Sequence, residues 1–114
     1  MKTIIDRCGM LLLSASLLMT ATGLRAAEAD EAMRARGQTL YTEQMCNLCH
    51  TRDGESGPMA HVGGSLDGLA AKRDAAWIER YLRDPQAVIP SSQMPKSTLT
   101  DQQLAELIAF LLGS

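Results

Sequence analysis

Aromatic residues are scarce in this chain. Among its 114 residues there are only four of them, namely Tyr41, Trp77, Tyr81 and Phe110. Aromatic side chains dominate the energetics of many small cores, because each buries roughly 150–250 Å² of surface. The length predicts a single domain, and a domain this small with so few rings needs something else to fill its core.

The chain also lacks a strong excess of charge of either sign, and it has few cysteines. The chain carries 11 basic and 13 acidic residues, for a net charge of −2. This balance excludes a nucleic-acid binder that relies on phosphate contacts. Hydrophobic residues make up 46% of the chain, which excludes a disordered acidic polypeptide. The three cysteines are an odd number, so a simple disulfide framework could not use them all.

The longest uncharged stretch lies near the N-terminus. It covers residues 8–24, follows the basic residues Lys2 and Arg7, and is followed by small residues. This order is typical of a secretory signal peptide. Cleavage after Ala26 or Ala29 is predicted, and we take residues 1–26 as the signal and residues 27–114 as the mature domain.

An uncleaved membrane anchor is the alternative for this segment. The 17 uncharged residues are at the short end for a membrane span, and serine, threonine and glycine dilute them. Cys8 lacks the preceding sequence of a lipidation site and is expected to leave with the signal. The mature domain would then carry eight basic and twelve acidic residues, a net charge of −4.

The mature chain reads as three helices joined by loops, with no alternating strand pattern. Good helix formers dominate residues 29–45, and Asp74 is a suitable N-cap for a helix over residues 74–83. Thr100 and Gln103 form a capping box that opens a final helix. Residues 47–68 are rich in glycine and predict a long functional loop, and residues 86–97 predict a second loop bounded by prolines. The fold class is therefore all-α.

Residues 46–50 have the sequence Cys-Asn-Leu-Cys-His, which is the C-x-x-C-H attachment motif of a c-type haem. Cys46 and Cys49 would add to the two vinyl groups of one haem, and His50 would then lie under the iron as its proximal ligand. A redox-active C-x-x-C pair would favour a βαβ context, which is missing. A zinc site that used these residues with His61 would lack a second pair of ligands.

Three residues after the motif could provide the sixth iron ligand. Met59 and His61 follow His50 so closely that their loop must pass on the same side of the ring. Met94 lies 44 residues beyond His50, and Pro95 holds it in extended backbone. A thioether is a suitable ligand for haem iron, so Met94 is the predicted distal ligand.

These residues resemble the small mono-haem class I c-type cytochromes of bacteria, over essentially the whole mature chain. The resemblance rests on the C-x-x-C-H motif, on residues 57–58 (Gly-Pro), on residues 94–95 (Met-Pro), and on the pairing of Gly37 with Tyr41. It implies three to four short helices wrapped around one covalently attached haem. It also implies that Gly37 and Tyr41 meet Phe110 where the first and last helices cross.

The resemblance assigns further residues to the haem environment. The carbonyl of Pro58 would accept the hydrogen bond of the proximal His50, and Trp77 would lie beside the haem. Arg73, Lys72 and the Trp77 indole are candidate partners of the haem propionates. Met59 follows Pro58 where the family usually has a leucine within two residues, so the course of this loop departs from the family pattern.

Filled axial positions indicate an electron carrier rather than an enzyme. We expect a monomeric periplasmic protein, with no membrane span in the mature chain and no nucleic-acid partner. Redox proteins would dock weakly at the exposed haem edge. A haem subunit of a larger oxidoreductase, acting on sulfur or nitrogen compounds, is the alternative. A ligand-binding sensor or peroxidase would require Met94 to leave the iron.

Overall fold

Helix α1 spans Lys2–Glu43 and includes most of the helix predicted over residues 29–45. The computed structural model describes the backbone of residues 2–113 and the side chains of residues 21–113. It divides into two units, Met1–Ala32 and Met33–Ser114, and each is described by itself. In the first unit, the side chains of residues 21–32 are exposed, and that of Cys8 lies outside the described residues. No helix among the described residues combines the length and the apolar character that crossing a membrane requires.

The second unit is mainly helical, as the sequence predicts. Asp74 caps α5, Ala75–Arg83, by accepting a hydrogen bond from the Trp77 backbone N–H at 2.7 Å. Thr100 caps α7, Asp101–Leu112, through a capping box with Gln103. The predicted caps are therefore confirmed. Four single helical turns join the longer helices: α2 (Cys46–Cys49), α3 (Ala60–Gly63), α4 (Leu69–Lys72) and α6 (Pro85–Val88).

Helix α6 corrects the prediction of a loop beginning at Gln86. Asp84 and Pro85 end α5, but they also start the next helix. Proline is favoured at the first position of a helix, where its missing N–H has no partner to lose. The Asp84 side chain accepts from the Ala87 backbone N–H at 3.4 Å and so caps the new turn.

A small sheet also departs from the predicted absence of strands. Strand β1 (His50–Arg52) pairs antiparallel with β2 (Glu55–Ser56) and parallel with β3 (Gly64–Ser65). Asp53 and Gly54 connect β1 to β2, and both have positive φ angles, as a two-residue hairpin turn of the primed type requires. Strands of two or three residues are too short to give an alternating pattern.

The crossing of α1 and α7 organises the core. The rings of Tyr41 and Phe110 lie 5.4 Å apart between centroids, inclined at 57°. Gly37 is buried against α7, and a Cβ atom added there would stand 2.0 Å from the Glu106 carbonyl oxygen and 2.7 Å from Cβ of Phe110. The predicted meeting of Gly37 and Tyr41 with Phe110 is thus confirmed. The carboxylate of Glu106 accepts from Gln102 and Arg36, and these contacts lower its pKa.

We expect Gly37→Ala to destabilise the protein by about 2–3 kcal/mol, because overpacking against backbone outweighs the helix propensity gained. The added methyl group would collide with the backbone of α7, which cannot move without displacing the core. Thermal unfolding of the haem-loaded protein measures the change. Gln38→Ala, at an exposed neighbouring position, is the control and should leave stability nearly unchanged. Equal stability of the two variants would contradict this view of the crossing.

The buried apolar core of the described residues is small and mostly aliphatic. It consists of one aromatic and seven aliphatic side chains: Leu40, Tyr41, Ile78, Leu82, Leu104, Leu107, Ile108 and Leu111. Trp77, Met94 and Phe110 are partly buried against it. Five of the eight also line one of the cavities described below: Tyr41, Ile78, Leu82, Leu107 and Leu111.

Arg52 is a buried charged residue that the sequence reasoning missed. Its guanidinium donates to the carbonyl oxygens of Phe110 and Leu111 at 3.1 and 3.3 Å, and it lies 4.3 Å from the centroid of the Phe110 ring. These carbonyls belong to the last turn of α7, where a cation complements the helix dipole. Arg52 therefore fixes the strand that begins at His50 to the end of α7.

Candidate haem site

The two cysteines of the motif are neighbours on one helical turn. Cys46 begins α2 and Cys49 ends it, so they are three residues apart on the helix surface. Met45 precedes the turn with a left-handed backbone, at φ 55°. Both thiols are free, and they do not form a disulfide with each other. Burial raises the pKa of the Cys46 thiol, which keeps it protonated at neutral pH.

His50 is held by strand β1, immediately after the second cysteine. Its Nδ1 atom lies 3.2 Å from the carbonyl oxygen of Gly64, a hydrogen-bond distance. The parallel pairing of β1 with β3 places Gly64 opposite His50 and so determines this partner. Pro58, the acceptor that the resemblance implied, is exposed and lines neither of the two cavities that contain His50. The acceptor in the structure is Gly64, not Pro58.

Gly63 allows the close approach of this segment to the motif. A Cβ atom added to Gly63 would lie 2.3 Å from the Cys49 carbonyl oxygen and 2.7 Å from Cε1 of His50. Any larger residue would push the imidazole out of place. This glycine is a functional position that the sequence reasoning missed, although a pair of glycines at residues 63–64 is a signal of close backbone approach.

Two adjoining cavities open beside the motif, of about 480 and 390 Å³. Their volumes lie in the range of cavities that bind cofactors. Six residues line both cavities and mark the boundary between them: Cys46, His50, Gly63, Tyr81, Ile89 and Met94. Cys49 lines the second cavity only. The structure therefore gathers two thiols, an imidazole and a thioether along the walls of these two cavities.

Apolar residues form most of the wall of the first cavity. Its charged side chains are two adjacent basic residues. Lys72 and Arg73 line it together with Trp77. The Arg73 guanidinium lies 4.4 Å from the centroid of the Trp77 ring, and that ring stacks on Tyr81 at 5.0 Å and 13°. The second cavity has no charged side chain in its lining among the described residues.

Of the three residues considered as the sixth ligand, only Met94 reaches the cavities. It is half-buried, packs against the core and lines both of them. Met59 is 42% exposed, and neither it nor the exposed His61 lines either cavity.

The donor set and the shape of the site fit a covalently bound haem. Reduced thiols at the spacing of the motif, an adjacent imidazole and a thioether are the groups that the attachment and ligation of a c-type haem require. Among the described residues, no three His, Cys, Asp or Glu side chains cluster in a way that could hold a metal ion directly.

Comparison with protein families agrees with the assignment of a haem site. The family model described as Cytochrome c matches residues 34–114. The chain belongs to the cytochrome c family. No curated protein and no solved structure matches it.

Membership in the cytochrome c family identifies the cofactor and the general activity. The cofactor is covalently attached haem c, and Cys46 and Cys49 stand where the family attaches it. The fold is that of a class I cytochrome c, extended by the small sheet of β1–β3. Cytochromes of this family transfer electrons to and from redox partners and are generally carriers rather than enzymes.

Proposed function

We propose that this cytochrome is an exported electron carrier in which His50 and Met94 are the axial ligands of one haem. The observation that carries the proposal is that both side chains, together with Cys46, line the same two adjoining cavities. When bound, haem c supplies a ferric/ferrous couple that takes up and releases one electron. A neutral thioether ligand raises the reduction potential of that couple.

Cys46 and Cys49 hold the haem by thioether bonds in this proposal. Their placement supports this role. The two cysteines lie at the ends of one helical turn, and both line the second cavity. His50 would hold the iron through Nε2, which is free because Nδ1–H donates to the Gly64 carbonyl. That hydrogen bond fixes the ring and its tautomer and raises the basicity of the ligand.

Arg73, Lys72 and Trp77 form the propionate side of the site. This assignment rests on the unequal distribution of charge, since the first cavity contains both basic side chains and the second contains no charged one. Anionic propionates are stabilised beside guanidinium and ammonium groups. Stacking on Trp77 holds the Arg73 guanidinium in place.

Redox partners dock at the rim of the second cavity. Four exposed apolar residues surround this rim: Met45, Leu48, Val62 and Ile89, between 37% and 64% exposed. An uncharged rim favours short-lived apolar contacts at a small interface. A net charge of −4 on the mature chain adds weak, salt-dependent attraction to basic partner surfaces.

The same apolar rim favours a second candidate function. A haem subunit held in a larger oxidoreductase would keep these four side chains covered by its partner. Co-purification with a partner distinguishes this subunit from a free carrier. A ligand-binding sensor or peroxidase needs an open axial position, and the placement of Met94 at the cavities argues for the carrier.

The location and stoichiometry of the protein test the proposal. Produced with its own N-terminal segment in a bacterium that matures c-type cytochromes, it should accumulate in the periplasm as a chain starting at Ala27 or Asp30. Reductive titration of that chain should consume one electron per molecule. Recovery of the full-length chain in membranes would support the anchored alternative and contradict export with cleavage. A stoichiometry other than one would contradict the single haem.

A further inference from the structure

The backbone around Met94 is held on both sides by side-chain hydrogen bonds, from Ser92 in the same loop and from Gln86 in α6. On the N–H side, Ser92 Oγ accepts from the Met94 backbone N–H at 3.2 Å. The Ser92 hydroxyl is itself 2.7 Å from the Tyr81 hydroxyl, and Tyr81 belongs to α5. A hydroxyl can accept and donate at once, so Ser92 links the Met94 backbone to a helix that lines the haem cavities.

On the carbonyl side, Gln86 makes two hydrogen bonds to the same segment. Its Nε2 donates to the carbonyl oxygens of Ser92 at 2.8 Å and of Met94 at 3.0 Å. A primary amide has two N–H donors, so one side chain satisfies both carbonyls. Gln86 follows Pro85, whose side chain is fully buried, and this anchors the turn that carries the amide.

Further contacts secure the chain after Met94. Lys96 forms an ion pair with Asp84 at 2.8 Å, and the Ser97 backbone N–H donates to the Leu82 carbonyl at 2.8 Å. These contacts hold Lys96 and Ser97 in place, but they do not involve the backbone of Met94 itself. Gln86 is the side chain that bonds the Met94 carbonyl directly.

We propose that Gln86 is a positioning residue that keeps the Met94 thioether at the haem iron and sets how readily it detaches. The inference rests on the proposed ligation by Met94. With haem c bound, an external ligand such as CO would need the position that the Met94 sulfur would occupy. The thioether would therefore have to leave before CO could bind, with no change in oxidation state. Detachment moves the Met94 backbone away from Gln86, so the two hydrogen bonds oppose it.

The expected effect is a faster reaction with CO when the amide is removed. Each hydrogen bond contributes modestly because Gln86 is exposed, so we expect the association rate of the reduced protein with CO to rise about tenfold in Gln86→Leu. Gln86→Glu should give a similar rise at neutral pH. The carboxylate keeps the shape of the side chain but has no N–H to donate.

The experiment compares rapid-mixing CO kinetics of the reduced, haem-loaded variants. Thr98→Val is the matched control, because Thr98 lies in the same loop, lines neither cavity, and has an exposed side chain with no hydrogen-bond partner among the described residues. Unchanged CO kinetics in both Gln86 variants, with rapid CO binding in Met94→Ala, would overturn the role of Gln86 and leave ligation by Met94 intact. A Met94→Ala protein as unreactive as the wild type would overturn both proposals. An equal acceleration in Thr98→Val would show general loosening of the loop and would also overturn the role of Gln86.

Discussion

Met94→Ala is expected to turn an unreactive low-spin cytochrome into a high-spin protein that binds CO completely when reduced. The alanine methyl group cannot coordinate iron, and the remaining ligand field of one imidazole is too weak to keep the iron low-spin. Removing the side chain also enlarges the space beside the iron, since Met94 lines both cavities. Visible spectra of the oxidised and reduced variant, before and after addition of CO, measure the change.

The matched control for this substitution is Met59→Ala. Met59 was the other methionine considered after the motif, and it is exposed and outside both cavities. Its loss should leave the low-spin spectra intact and the reduced protein as slow to bind CO as the wild type. A reversal of these results, with Met59→Ala reactive and Met94→Ala unchanged, would move the sixth ligand to the loop that follows His50.

Replacement of both motif cysteines, by Cys46→Ala with Cys49→Ala, is expected to abolish haem attachment and most of the folded structure. The mass of the denatured chain should lack haem, and far-ultraviolet circular dichroism should show the loss of most helical signal. The reason lies in the core, which has only eight buried apolar side chains and adjoins cavities of about 480 and 390 Å³. Without a cofactor those cavities would fill with water or collapse, and a domain of this size has little stability to lose.

Cys8→Ala is the control for the cysteine pair, because Cys8 lies outside the motif and in the predicted signal. It should retain haem and helical structure in full. A haem-free double variant with native-like helical structure would show that the polypeptide core suffices alone. That outcome would contradict the view that the haem compensates for the scarcity of aromatic residues.

Local signals in the sequence predicted the starts of α5 and α7 correctly, whereas α1 begins at Lys2 and not at residue 29. Asp74 and Thr100 cap their helices through bonds to residues three positions away, so the information lies within one turn. The C-x-x-C-H spacing is likewise local, and it carries most of the functional prediction. The contact of Gly37 with α7 was inferred by resemblance, because no local pattern specifies a partner 69 residues away at Glu106.

The errors concern features that depend on distant residues or on weak local signals. The partner of His50 is Gly64 because two very short strands pair in parallel, and such pairing leaves no periodic pattern. The turn at Asp53 and Gly54 is a recognisable hairpin signal, but the flanking strands are too short to draw attention to it. Helix α6 was missed because Asp84 and Pro85 signal both the end of one helix and the start of another.

The most direct test of the central claim is the visible spectrum of the wild-type protein in both oxidation states, with CO added to the reduced form. A chain that carries one haem between His50 and Met94 should be low-spin when oxidised and when reduced, and CO should change the reduced spectrum only slowly at neutral pH. A high-spin spectrum, or ready formation of a CO complex by the wild type, would show an open axial position and contradict the proposed electron carrier.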